Sequence, residues 1–257
     1  MLGTGLRRSP TMNWKTASCH DSPEAWLGEA DGIDPEGSGL RAQAMDMTRA
    51  CVHPRERALV LFQHVAQMRF VVSDLDTRCV PSLLRHAREG DGFFKTTLLV
   101  HLLRLVDVPA RMRWVQLESS LLTRGLWDFV RLSGQAFVYP LTEAFIDGRW
   151  ICTDAYTMDA PLLAAVHRTL DRRGWDSGFM AHRAGTGHWD ARSDAYQRFD
   201  GADPAAMQVQ DLGCAHSLAD FTRRHPHRFR VTGAMRLAFV SQAEHFNQEL
   251  GQLRRTQ

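Results

Sequence analysis

The run GDGFFKTTLLVHLLRLVDVPAR, Gly90 to Arg111, decides how the chain folds. From Gly92 to Val106 it is apolar on almost every side, and a helix apolar all round belongs at the centre of a domain. Pro109 disfavours helix at the residue before it, so the helix stops at the VDVPAR turn. Three strand-like runs follow: MRWVQL from Met112, EAFID from Glu143 and RWICTD from Arg149. The last two are joined at Asp147-Gly148, a hairpin-turn pair. A buried helix followed by antiparallel strands predicts an α+β domain with the central helix packed on the sheet.

Upstream, PRERALVLFQHVAQMRF puts Ala58, Leu61, Phe62, Val65 and Met68 on one helical stripe, with Pro54 suited to the first turn. VPSLLRHAREG reads as a helix from Pro81 to a stop at Gly90. The region 118–133 is ambiguous and leans to helix. Downstream, APLLAAVHRTLDRRG closes on Gly174, SLADFTRR reads as a helix, and a long amphipathic helix runs from about Gly233 to Arg254. Residues 1–40, rich in Gly, Ser, Pro and acid, predict an irregular N-terminal arm at the domain edge. Residues 41–257 read as a single domain, with a core over about 54–160 and a C-terminal lid or helical extension over 161–257.

With 257 residues, 44% of them hydrophobic, the chain has apolar material for a sizeable core, which argues against a disordered tail. Lys and Arg number 31 against 29 Asp and Glu, so no global field draws it to nucleic acid or an anionic membrane. No apolar run is long enough to suggest a membrane span. The opening MLGTGLRRSPTMNWK has an Arg pair without an apolar stretch behind it, so no export signal is expected. Five scattered cysteines, Cys19, Cys51, Cys79, Cys152 and Cys214, suggest reduced thiols and a cytoplasmic location.

Gly90 to Arg111, followed by EAFIDGRWICTD from Glu143 to Asp154, resembles the core of the transglutaminase-like superfamily, and more weakly so over about residues 54–160. The resemblance implies a papain-like fold, with a nucleophilic cysteine at the N-terminus of the central helix and a His and an Asp on the following strands. Such a layout is chemically sensible. A helix N-terminus lowers a thiol pKa and receives developing negative charge, while the His and Asp act as base and orienter.

Carried across residue by residue, the pattern loses two of its three members. Lys95 minus three and Arg111 minus nineteen both put the cysteine at position 92, which is Gly92. Glu143 minus four and Asp154 minus fifteen both put the histidine at 139, which is Tyr139. Asp154 alone matches. Without a sulfur and an imidazole there, thiol acyl transfer is not expected.

What this leaves is a cleft with three readings. The first is an enzyme doing acid/base chemistry of lyase, isomerase or cyclase type on a small molecule, anionic or neutral. In that reading Tyr139 and Asp154 are catalytic, and Gly92, Phe93, Phe94, Lys95 and Glu143 bind substrate. The second is a pseudoenzyme that binds a ligand or protein. The third relocates the nucleophile to Cys152, which alternation puts on the same face as Asp154. The bland alternatives are a packing tyrosine, an aspartate satisfying backbone amides, a solvated lysine and a core cysteine.

No cofactor is implied. Cys214, His216, His225 and His227 have ligand types that zinc accepts, but the helix between them could hold the pairs apart, so no metal is expected. RRHPHRFR from Arg223 reads as a solvated charged face, and His101 reads as a core histidine on the side of the helix away from the cleft. HWDARSDAYQRF, His188 to Phe199, reads equally as a lid over the cleft or as a surface loop. The partner expected is a small molecule, with neither nucleic acid nor membrane, and the sequence gives no oligomeric state.

Overall fold

The computed structural model describes residues 14–19, 22–27, 39–72, 87–118, 124–125, 137–226 and 233–255. Among the described residues, three α-helices precede the sheet: α1 (Leu40–Met47), α2 (Pro54–Ala66) and α3 (Gly92–Leu105). Helix α2 starts with Pro54 in its first turn, and the Glu56 carboxylate accepts the N–H groups of Val52 at 2.8 Å and His53 at 3.1 Å. Helix α3 starts where the Asp91 carboxylate accepts the Phe94 N–H at 2.8 Å. Every α3 residue from Lys95 to Leu105 is buried, as its all-round apolar pattern predicts.

Strands β3 (Ala110–Leu117), β4 (Phe137–Ile146), β5 (Arg149–Thr153) and β8 (Gln210–Ala215) form an antiparallel sheet in the order β5-β4-β3-β8. Asp147 and Gly148, both at positive φ, turn β4 into β5. Alternation then gives the sheet two different faces. Met112, Trp114, Ala144 and Ile151 pack with Leu98, Leu99 and Leu102 of α3 in the main core. Val115, Tyr139, Leu141 and Cys152 form a second core on the opposite face, with Trp14, Tyr196 and Phe199.

The remaining described elements pack around this core. Helix α4 (Ala160–Arg173) is capped by Asp159 and ends at Gly174 in the left-handed conformation, where glycine carries no Cβ penalty. Short pairs β1 (Arg69–Phe70) with β2 (Glu89–Gly90) and β6 (Ser177–Gly178) with β7 (Ala181–His182) follow the connections. Helix α5 (Leu218–Arg224) follows β8. The last helix, α6 (Gly233–Arg255), docks through Asn247, whose amide pairs with both the N–H and the C=O of Val72, at 2.8 and 2.9 Å. Arg254 grips both carboxylate oxygens of Asp159 and the carbonyl of Phe70.

Three sequence readings need correction or lie out of reach. Gly90 does not stop a helix: it sits in β2, paired in parallel with Phe70 of β1. The body of the helix expected from Pro81, and most of 118–133, lie outside the described residues. Nor are the cysteines all reduced thiols, because Cys19 and Cys214 form a disulfide across 195 residues of sequence. An odd count of scattered cysteines hid that pair, since spacing carries no information about a partner so far along the chain. Cys51 and Cys152 are free, and Cys79 is outside the described residues.

Candidate functional site: a polar cluster at the start of the central helix

Gly92, Tyr139 and Asp154 converge, although they come from a helix start, a central strand and the end of the hairpin. The Tyr139 hydroxyl donates to Asp154 Oδ2 at 3.3 Å. Asp154 Oδ1 accepts the Gln197 N–H at 2.5 Å. The fourth member is Arg198. Its Nη1 lies 3.4 Å from Asp154 Oδ2 and donates to Thr157 Oγ1 at 3.0 Å, and its guanidinium carbon sits 4.4 Å from the centre of the Tyr139 ring. Its Nη2 stands 2.9 Å from where a Cβ on residue 92 would be, with Thr157 Cγ2 at 3.3 Å. The space in front of the helix start is therefore occupied by an arginine.

The cluster is dry. Tyr139 is 2% exposed, Asp154 0% and Arg198 3%. Burial, then the neighbouring Asp154 charge, pushes the Tyr139 phenol well above its usual range, so it stays protonated and donates. Burial also raises the Asp154 carboxyl, against the opposing pull of the Arg198 guanidinium and the Gln197 N–H. Cys152 is fully buried beside them, and burial raises its thiol well above the ordinary value, which keeps it from being a thiolate.

The remaining residues expected at the site go elsewhere. The Phe94 N–H is taken by Asp91, and the Phe93 and Phe94 rings pack against the main core, Phe93 lying 6.1 Å from Trp114. Lys95 turns inward and donates to the carbonyls of Met68 at 2.5 Å and Tyr156 at 3.2 Å. Burial holds its amine down at about 7. Glu143 lies under the N-terminal arm, 2.8 Å from Arg111 Nε, 3.3 Å from Arg113 Nη1 and 3.4 Å from Lys15 Nζ. These two side chains are held as buried partners and are not presented to a substrate.

Residues 188–199, read equally as lid or surface loop, are exposed at 188, 190 and 192–194 and run inward from Ala195 to Phe199. Trp189, Ala191, Tyr196, Gln197, Arg198 and Phe199 are buried. Ala195 bridges to Thr153 in parallel, exchanging backbone hydrogen bonds with Cys152 and Asp154 at 3.1 Å each. Gln197 closes on the Ala155 carbonyl at 2.7 Å and the Met158 N–H at 2.8 Å. Sequence reasoning missed Gln197 and Arg198. The available signal was an arginine set between Tyr196 and Phe199, two aromatics of a kind that a solvated loop seldom carries so close together.

Among the described residues no three metal-ligating side chains cluster. Cys214 is spent in the disulfide, and His216 stacks on Trp26 at 4.3 Å. His101 is buried with Nδ1 2.6 Å from the Thr97 carbonyl, and burial lowers its pKa to about 4.

No family model and no curated protein matches the chain. Two solved structures are similar to it. "A putative cysteine protease from Cytophaga hutchinsonii" shares 12% identity at a TM-score of 0.44, over 78% of this chain and 49% of that one. "A putative protease from Parabacteroides distasonis" shares 17% at a TM-score of 0.33, over 51% of this chain and 24% of that one. The chain thus spans about half the length of the first and a quarter of the second. Both likenesses are too remote to transfer a role to any residue.

Proposed function

We propose that the protein is a pseudoenzyme, a ligand- or protein-binding module on a transglutaminase-like scaffold whose thiol site has been closed. One observation carries this reading. The Arg198 guanidinium fills the space a side chain at position 92 would enter, and it is tied there to Asp154, Thr157 and the face of Tyr139. A nucleophile needs room for an acyl carbon within about 3–3.5 Å in an aligned approach, and the Arg198 guanidinium stands where a side chain at position 92 would begin. No acyl transfer proceeds at this site.

The hydrogen bond between Tyr139 and Asp154 favours a second reading, an acid/base enzyme of lyase, isomerase or cyclase type. It requires Arg198 to leave so that substrate can reach the phenol. Relocated thiol chemistry through Cys152 has the least support, because its thiol is buried and held protonated.

The test is turnover by the full-length protein on fluorogenic peptides, esters and a metabolite panel, with ligand binding followed by thermal shift. Stabilisation without product is the expected result. Turnover that falls about a hundredfold or more in both Asp154→Asn and Tyr139→Phe would overturn the reading in favour of the acid/base enzyme.

A further inference from the structure

The segment that carries Arg198 is held from outside by the N-terminal arm, and the arm is held by a disulfide. The Trp14 ring meets Tyr196 edge-on at 5.9 Å and Phe199 at 5.6 Å, while Tyr196 and Phe199 stack at 4.3 Å. These two aromatics bracket Arg198 in sequence. Lys15 pairs with Asp194 at 2.8 Å, Asp194 in turn accepts the Cys152 N–H and the Tyr196 hydroxyl at 2.8 Å each, and Ala17 donates its N–H to Asp211 at 2.8 Å. Two residues on, Cys19 closes onto Cys214 of β8.

We infer that the Cys19–Cys214 disulfide is a redox latch on the Arg198 plug. Oxidised, it clamps residues 14–19 over 194–199 and keeps Arg198 against Gly92. Reduced, the same six residues are held by noncovalent contacts alone, and a segment held that way opens locally at lower cost. The inference rests on the reading of the closed site only for its consequence, namely that opening the latch gives access to that site.

The chemistry requires a dithiol reductant. One of its thiolates attacks a sulfur of the disulfide to form a mixed disulfide, and its second thiol displaces the protein thiol. The products are two protein thiols and an oxidised reductant, with two electrons and two protons transferred. In a reducing compartment the dithiol pool would hold the latch open, and in an oxidising compartment it would stay closed.

The charges under the arm permit its release. Without Lys15, Glu143 keeps Arg111 and Arg113, so no buried charge is stranded. Asp194, with a side chain 35% exposed, passes to water. Trp26, seven residues after Cys19, stays stacked on His216 and beside Arg111, 5.4 Å from the guanidinium carbon, which confines release to the residues before it.

Hydrogen exchange by mass spectrometry on the full chain, oxidised against dithiothreitol-reduced, tests the latch. Residues 14–19 and 194–199 are expected to exchange at least about tenfold faster when reduced, with Leu98–Leu103 of α3 unchanged. Cys19→Ser should reproduce this without reductant, and Trp14→Ala should loosen 194–199 with the disulfide intact. If Cys19→Ser fails to fold, reduced wild type and Trp14→Ala read the same quantity. Unchanged exchange at 194–199 on reduction overturns the inference. So does equal acceleration at Leu98–Leu103, which would make the disulfide a general stabiliser, and so does an air-oxidised protein whose Cys19 and Cys214 still alkylate. Because exchange needs neither ligand nor turnover, failure of the latch and failure of the binding reading are separate results.

Discussion

Arg198 Nη2 stands 2.9 Å from the point at which a side chain on Gly92 would begin. A cation at the positive end of a helix is unfavourable unless anions compensate it. Here Asp91 caps the helix, and Asp154 lies 3.4 Å from the same guanidinium. The glycine leaves room for the arginine, and the arginine pairs with the buried Asp154.

Removing Arg198 should therefore strand the buried Asp154. Arg198→Leu is expected to cost about 3 kcal/mol at neutral pH in urea unfolding. Burial already raises the Asp154 carboxyl in the folded protein, so its stabilising protonated form is present below the unfolded value and is lost as pH rises through the folded one. Loss of Arg198 raises that carboxyl further. The deficit of the variant should be largest at pH 8 and smaller at pH 5, and a deficit independent of pH would contradict the pairing.

Lys95 gives a pH dependence of its own. Burial lowers its amine from 10.5 to about 7, so between these values the unfolded chain binds the extra proton. A base depressed in this way contributes stability above its unfolded pKa that is lost as pH falls through the folded one. Wild-type stability should then rise with pH from about 7 to 10, by up to about 1.4 kcal/mol per unit from this group. Lys95→Met should flatten the slope in that window, whatever its effect on absolute stability.

Asp159 is likewise lowered, but its window lies at acid pH. Burial opposes its ionisation, but the Arg254 fork and the Phe70 N–H outweigh that and hold the carboxyl below its usual value. Its contribution is present above the unfolded pKa and is lost as pH falls through the lower folded one. Asp159→Asn should cost about 2 kcal/mol at pH 7 and progressively less below about pH 4, read as urea midpoints across that range.

Local periodicity made the helical core legible. The all-round apolar run became α3, the Asp147-Gly148 pair became the β4–β5 turn, and Gly174 became the left-handed end of α4. Distance in sequence hid the remainder. Cys19 and Cys214 lie 195 residues apart, and nothing in the composition of the arm announces that Trp14 packs on Tyr196. The resemblance to the transglutaminase-like pattern put Gly92, Tyr139 and Asp154 together, but it is silent on Arg198, because the 194–199 segment reaches Thr153 through a bridge that no turn signal marks. Lys95 and Glu143 read as charges awaiting a substrate. Folding had already given them partners: two carbonyls for the one, and Arg111, Arg113 and Lys15 for the other.

The most direct measurement of the plug is a double-mutant cycle between Gly92 and Arg198, read as unfolding free energy. With Arg198 present, Gly92→Ala pushes the guanidinium off Asp154 and should cost about 1 kcal/mol. In an Arg198→Ala background the same substitution should be neutral or should stabilise by up to about 1 kcal/mol, since alanine is the better helix former. An equal effect of Gly92→Ala in both backgrounds would mean that Arg198 does not fill that space, and the closed-site account would be contradicted.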